Sequence, residues 1–282
     1  MPTYFGRIAR LQIQVPGQLG QEIDGLRVRL RSRRSGKGFD GAQIDVWGLN
    51  TDSYGQLGRG DTITRLVAGY ADGPGEVMQG QVVPLSLRRV VSEGEVVTSW
   101  QVQEATTALA SVTLATSWPG AVKASEVLSY IAGALGLALP AQALPVDLVY
   151  ARGFTAYGKA RQVLTTLATD CGCTWSVQAG RLVLLPLDGA LRTRAFVFAP
   201  SSGLIGYPEQ VDGGRVRSTT LMQPGILPGD TYRLGGDTLA GDYVAEQVEH
   251  AGDLWGAEWY SYVTGRVAGV AVRWHPPHRS TP

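Results

Sequence analysis

For imidazole or thiol chemistry this 282-residue chain offers three histidines and two cysteines. His275 and His278 flank Pro276 and Pro277 near the end of the chain. A loose proline-bound tail cannot hold a general base within hydrogen-bond reach of a substrate. It also lacks the further ligands that zinc needs. His250 stands apart from both. Cys171 and Cys173 are separated by one glycine, too close for an unstrained disulfide. Without C-x-x-C spacing or a neighbouring histidine they read as two small buried hydrophobes, in preference to a redox or metal pair. There is no G-x-S-x-G elbow and no P-loop, since Gly36-Lys37-Gly38 lacks the Walker spacing. Asp40 with Asp45, or Glu246 with Glu249, could pair for glycoside cleavage. Most of these carboxylates alternate along strands, where a solvated or interface face is the default. No enzyme, cofactor or metal is expected.

Two sets of side chains remain. Arg27, Arg29, Arg31, Arg33, Arg34 and Lys37 form a basic stripe. It reads either as an outward strand face or as a patch for an acidic partner or nucleic acid. Trp255, Trp259, Tyr260 and Tyr262 form an aromatic set near the end. Carbohydrate-binding modules use such residues, and core or interface packing uses them equally. Arg27, Arg29, Arg31, Arg33, Arg34, Trp255 and Trp259 are therefore the candidate partner-interface residues.

The elements that must position them are mostly strands. Leu11, Ile13 and Val15 alternate with glutamine, and Leu26, Val28 and Leu30 alternate with arginine, the period of a half-buried strand. Further strands are expected over Gln43–Trp47, Arg65–Tyr70, Val77–Leu87, Val96–Gln103 and Ser111–Thr116. Turn clusters such as Asp72-Gly73-Pro74-Gly75 divide them. After Trp118 the period becomes helical. Val127, Leu128, Ile131 and Leu135 follow one face, with Ser125 as the expected N-cap. Ala160, Val163, Leu164, Leu167, Ala168 and Cys171 follow another, closed by Gly172. A hairpin turning at Ala179-Gly180 comes next. The last part alternates again over Gly214–Leu221, Thr231–Leu234, Gly241–Ala251 and Glu258–Val267, with Ala271–Trp274 a short finish.

Composition bounds the classes. Charged residues are 17% and glycines are 37 of 282, about 13%, against roughly 25% and 7% in ordinary domains. Short strands, many turns and extensive partner contacts fit those values. A net charge of +1 argues against a binder held mainly by phosphate contacts. The N-terminal Met1-Pro2-Thr3-Tyr4-Phe5 leads straight into a strand pattern, without the apolar stretch of a secretion signal. The apolar run Ile131–Leu139 is too short to span a bilayer. A secreted or membrane protein is disfavoured.

Particular segments carry a resemblance. They are Ile23-Asp24-Gly25-Leu26-Arg27-Val28, Ala42-Gln43-Ile44-Asp45-Val46-Trp47-Gly48-Leu49, Leu66-Val67-Ala68-Gly69-Tyr70 and Gln79-Gly80-Gln81-Val82. Phe154-Thr155-Ala156-Tyr157-Gly158-Lys159-Ala160, Trp175–Leu182, Gly203–Glu209, Gly241-Asp242-Tyr243-Val244 and Val248–Trp259 extend the match. In order and spacing these resemble phage baseplate hub proteins of the late control protein D kind, including the Mu-like hubs. The resemblance implies a mainly β chain with a small α+β insertion. Its parts would be a tail-tube-like β-barrel domain over 1–117, an α+β domain over 118–190, a second tube-like domain over 191–270 and a tail over 271–282. It further implies a homotrimeric structural adaptor in the virion, assembled in the host cytoplasm. The adaptor would join a hexameric tail tube or tube-initiator protein to a trimeric central spike. Other baseplate proteins would flank it, and it would enclose a channel for tape measure protein and, during genome ejection, for DNA in transit. The alternative is a carbohydrate-binding receptor-recognition module of the tail tip.

Overall fold

The computed structural model describes residues 6–35, 40–92, 94–104, 111–140, 143–178, 181–187, 189–190 and 192–269. Strands β1 (Arg7–Gln14), β2 (Gln21–Ile23), β3 (Val28–Ser35) and β4 (Gly41–Trp47) precede helix α1 (Thr51–Leu57). Then come β5 (Ile63–Tyr70), β6 (Gly75–Val82), β7 (Arg88–Ser92) and β8 (Glu95–Gln103). The middle holds β9 (Thr113–Trp118), β10 (Val122–Lys123), α2 (Ala124–Ala134), β11 (Val149–Tyr150) and β12 (Phe154–Lys159). It continues with α3 (Ala160–Asp170), β13 (Cys173–Gln178) and β14 (Arg181–Pro186). The last region comprises β15 (Arg192–Phe198), β16 (Leu204–Val211), β17 (Arg215–Leu221), β18 (Asp230–Leu234), β19 (Gly241–Asp253) and β20 (Trp259–Val267).

The chain is mainly β, as its alternation predicts. Among the described residues no pairing closes either of the two terminal regions into a separate barrel. Their strands share one 14-stranded sheet with the order β16-β17-β20-β19-β3-β4-β8-β6-β5-β1-β2, and no pairing joins its two ends among the described residues. The physical reason lies in β19, whose second edge is divided. Gly241–Val244 pairs with β18, while Gln247–Asp253 pairs with β3. A register shift between Ala245 and Gln247 separates the two halves. The edge that a C-terminal barrel would need for closure is thus spent on β3 of the N-terminal region.

Three apolar clusters fill the fold. The first is built on Leu11, Ile44, Leu66 and Trp100, and it also takes Met222 and Trp259 from the far end of the chain. The second lies under α2 and α3, with Val127, Ile131, Leu164 and Leu167 facing each other. Leu114 of β9 belongs to it, and β9 pairs with β12, so this strand packs with the middle unit and not with the first region. The third gathers Phe198, Tyr232, Tyr243 and Val263. Burying each such side chain contributes about 1.5–3 kcal/mol.

The helix ends differ in legibility. Gly172 follows α3 with φ +72°, the left-handed geometry expected there. Ser125 is not the cap of α2, because the helix begins one residue earlier, after Lys123. Asp147, distant in sequence, supplies the capping acceptor: its carboxylate takes the Ser125 N–H at 2.9 Å and the Ser125 hydroxyl at 2.9 Å. The Ala179-Gly180 turn, Gly36-Lys37-Gly38 and Ala271–Trp274 lie outside the described residues, whereas the paired strands flanking that turn, β13 and β14, are present.

Candidate interface and the seam beneath it

Period two divides the arginines of β3 between two faces. Arg29, Arg31 and Arg33 point outward, while Val28, Leu30, Ser32 and Arg34 point into the core. The outward three do not form an unbalanced basic patch. Arg29 lies 2.8 Å from Asp45 on β4, Arg31 3.4 Å from Glu258, and Arg33 3.6 Å from Glu249 on β19. Glu249 also approaches Arg217 at 4.0 Å, and Glu246 at the β19 bulge joins Arg215 at 2.7 Å to Arg266 at 3.5 Å. The outer face is a ladder of alternating charge across strands. Such exposed pairs contribute little stability each. Their effect is to neutralise the stripe. Lys37 lies outside the described residues.

Arg27 acts as a clamp. It grips Asp253 through Nε at 3.2 Å and Nη2 at 2.8 Å, with its guanidinium 4.1 Å from the Trp47 ring centroid. The hydrogen bond from Arg27 holds the Asp253 carboxyl below the usual carboxylate range. Asp253 Oδ1 in turn accepts the N–H groups of Trp255 and Gly256, each at 3.1 Å. Arg7 of β1 donates to the carbonyls of Gly256 and Ala257. Two arginines of the N-terminal region therefore hold the turn between β19 and β20.

The aromatic set is split by that turn. Trp255 is 68% exposed at its tip, whereas Trp259 is 0% exposed in the first core. The expectation of Trp259 as an interface residue is corrected: it presents no face to any partner. A Cβ at Gly252 would come within 2.5 Å of the Trp259 ring, so glycine is what lets the indole lie flat on β19. Tyr260 and Tyr262 are half-buried.

Beneath the outer face, the seam between β3 and β19 is polar. Thr220, Ser261, His250 and Ser32 stand opposite one another on β17, β20, β19 and β3, all buried. Beside them Arg34, 3% exposed, meets Glu104 at 2.7 Å and Glu76 at 3.8 Å. Asp40 accepts the Ser35 N–H at 2.7 Å. His250 Nδ1 lies 2.8 Å from Ser261 Oγ. Burial, aided by the Arg34 charge, lowers the imidazole pKa to about 3. Burial raises the Asp40 carboxyl to about 7, with the Glu104 charge adding to the rise. No such seam was expected from the sequence, although the alternation that puts Arg29 outside puts Arg34 inside.

The two titrations act with opposite sign. Free aspartate titrates at 3.8, so between there and about 7 folded Asp40 holds a proton that the unfolded chain has lost. Its contribution is present in acid and is lost as pH rises through about 7. Free histidine titrates at 6.5 against about 3 for His250, so stability from that side falls as pH drops through this window. Asp40→Asn should therefore stabilise the fold by about 2–4 kcal/mol near pH 8 and by almost nothing near pH 4. Urea midpoints at both pH values check this; an equal shift at both would refute it.

Cys171 and Cys173 are free and buried. Burial raises both thiols, Cys173 to about 12, which leaves them without thiolate character. Among the described residues no group of three or more His, Cys, Asp or Glu could hold a metal ion. His275 and His278 fall outside those residues. No helix among them is long and apolar enough to cross a membrane.

No family model and no curated protein matches the chain. Solved structures do. The tail protein from Neisseria meningitidis MC58 superposes with a TM-score of 0.67 at 12% identity, covering 95% of this chain and 98% of that one. The 43 kDa tail protein of prophage MuSo2 from Shewanella oneidensis gives 0.64 at 9% identity, covering 92% and 98%. An Escherichia coli component of the type VI secretion system, described as structurally similar to two T4 bacteriophage tail proteins, gives 0.62 at 9% identity, covering 92% and 77%. The chain has the fold of these tail proteins across nearly its whole length.

Proposed function

We propose that this chain is a structural subunit of a phage tail baseplate, a trimeric hub that joins the tail tube to the central spike and surrounds the channel. The observation that carries the reading is the near end-to-end superposition on two tail proteins, which leaves no large part of either molecule unmatched. The same fold in a type VI secretion component that is itself likened to T4 tail proteins supports a place in a tail-like assembly. The subunit works by assembly and has no catalytic step of its own.

The outer face of the sheet fits the lining of a passage. A surface rich in unpaired arginine would hold DNA phosphates and release them only with a large salt penalty. Here Asp45, Glu249, Glu258 and Glu246 answer Arg29, Arg33, Arg31 and Arg215. Such a ladder stays hydrated yet offers DNA no net positive groove. Tube, spike and tape measure proteins are the neighbours this role requires.

The reading is tested by native mass spectrometry of the purified chain with its cognate spike protein. The expected species contains three copies of the 30.1 kDa chain. A chain that stays monomeric at every concentration and ratio would overturn it.

A further inference from the structure

The large sheet has open strand edges, and most of them are blunted. β2 is three residues long. β15 is interrupted by a register shift between Arg192 and Phe196. β16 carries Pro208 and Gly206, the latter at φ +67°, inside a register shift between Ile205 and Glu209. Shortness, bulges and proline are how proteins stop stray strands from pairing with an edge. β7 has none of these. Its five residues are all exposed and pair in unbroken register with β8, and its other edge has no strand partner among the described residues.

Three further observations point outward from β7. Val90 and Val91 lie on opposite faces, 48% and 75% exposed, with Val96 on the paired strand 45% exposed. Leu85, just before the strand, is fully exposed at φ +63°. It follows Pro84 in a turn closed by the Ser86 N–H on the Val83 carbonyl at 3.1 Å. That place in a turn favours glycine or asparagine. A left-handed leucine costs backbone energy and leaves its apolar side chain in water, with no return inside the isolated chain. Finally, Arg88 differs both from Arg29, Arg31, Arg33, Arg65, Arg215 and Arg217, each of which faces a carboxylate on its sheet, and from its neighbour Arg89, which donates to the Leu49 carbonyl at 2.7 Å. Across from Arg88 stands Ser99, and no ion pair of Arg88 exists among the described residues.

We infer that β7 is a docking edge that takes an extended strand from a partner protein, with β-branched residues against Val90 and Val91, an apolar contact on Leu85 and a carboxylate opposite Arg88. Main-chain hydrogen bonds to the open edge supply affinity, and the flanking side chains supply selectivity. The edge does not depend on the assembly reading, since a synthetic strand tests it directly.

The probe is a fluorescent hexapeptide, Thr-Val-Glu-Val-Thr-Val, titrated into the full chain and followed by anisotropy. A second peptide carries lysine in place of glutamate. Saturable binding of the glutamate peptide below about 1 mM is expected. Arg88→Glu should weaken it about fivefold, the scale of one cross-strand charge pair, and invert the preference between peptides. Leu85→Asn should leave the melting temperature at or above that of the parent while lowering affinity, a combination that mere misfolding cannot produce. Equal binding of both peptides, or none, overturns the inference. So does self-association that Val91→Lys abolishes in the absence of peptide binding, which would give the edge to a second copy.

Discussion

Glu104→Ala is expected to cost about 3–5 kcal/mol, because it strands a guanidinium in the interior. Arg34 is 3% exposed and its pair with Glu104 is short at 2.7 Å, whereas Glu76 stands off at 3.8 Å. Glu76 should soften the loss but cannot replace a direct hydrogen bond. Removing both charges together is the informative comparison. Arg34→Met with Glu104→Leu should recover most of the loss, since an apolar pair of similar size avoids the desolvation cost. Urea denaturation of the single and double variants measures this. A double variant as unstable as Glu104→Ala would mean that the pair does more at the seam than neutralise itself.

Trp259→Ala should cost a comparable amount, about 3–5 kcal/mol, through the cavity left in a close-packed core. The indole is fully buried, lies on Gly252 and belongs with Met222 to the N-terminal core, although both come from the C-terminal region. It therefore fastens one region to the other. Trp255→Ala, at a 68% exposed site, should stay within about 0.5 kcal/mol of the parent. If Trp259→Ala left the urea midpoint unchanged, the packing described for it would be wrong. If instead the two tryptophans acted as a glycan platform, both substitutions would abolish glycan binding at unchanged stability. The burial of Trp259 opposes that outcome.

Much of this was legible in the residues, and its limits have physical causes. Strand period is local, so β3, β17, β18 and β20 could be read from alternation alone. Pairing is not local. Nothing in Gln247–Asp253 announces that its partner is Ser35–Arg29, more than two hundred residues earlier, and that single pairing joins the two terminal regions in one continuous sheet. The arginine stripe was visible as a set but misleading as a charge, because Asp45, Glu249 and Glu258 arrive from other strands. Arg34 was grouped with its neighbours although its even place in the alternation put it on the core face. Helix α1 had a readable signal in Asn50 followed by Asp52, and Asn50 does accept the Ser53 N–H at 2.7 Å. The cap of α2 had none, since Asp147 is local only in space. Trp255 and Trp259 are four residues apart, yet a turn sends one to solvent and the other to the core.

The trimeric hub is the central proposal, and an image at subnanometre resolution is its most direct test. Electron cryomicroscopy of the chain bound to its cognate spike should show three copies around one axis, with the arginine–carboxylate face turned toward an open channel. A complex lacking threefold symmetry, or a ring with that face buried against a neighbour, would contradict the account.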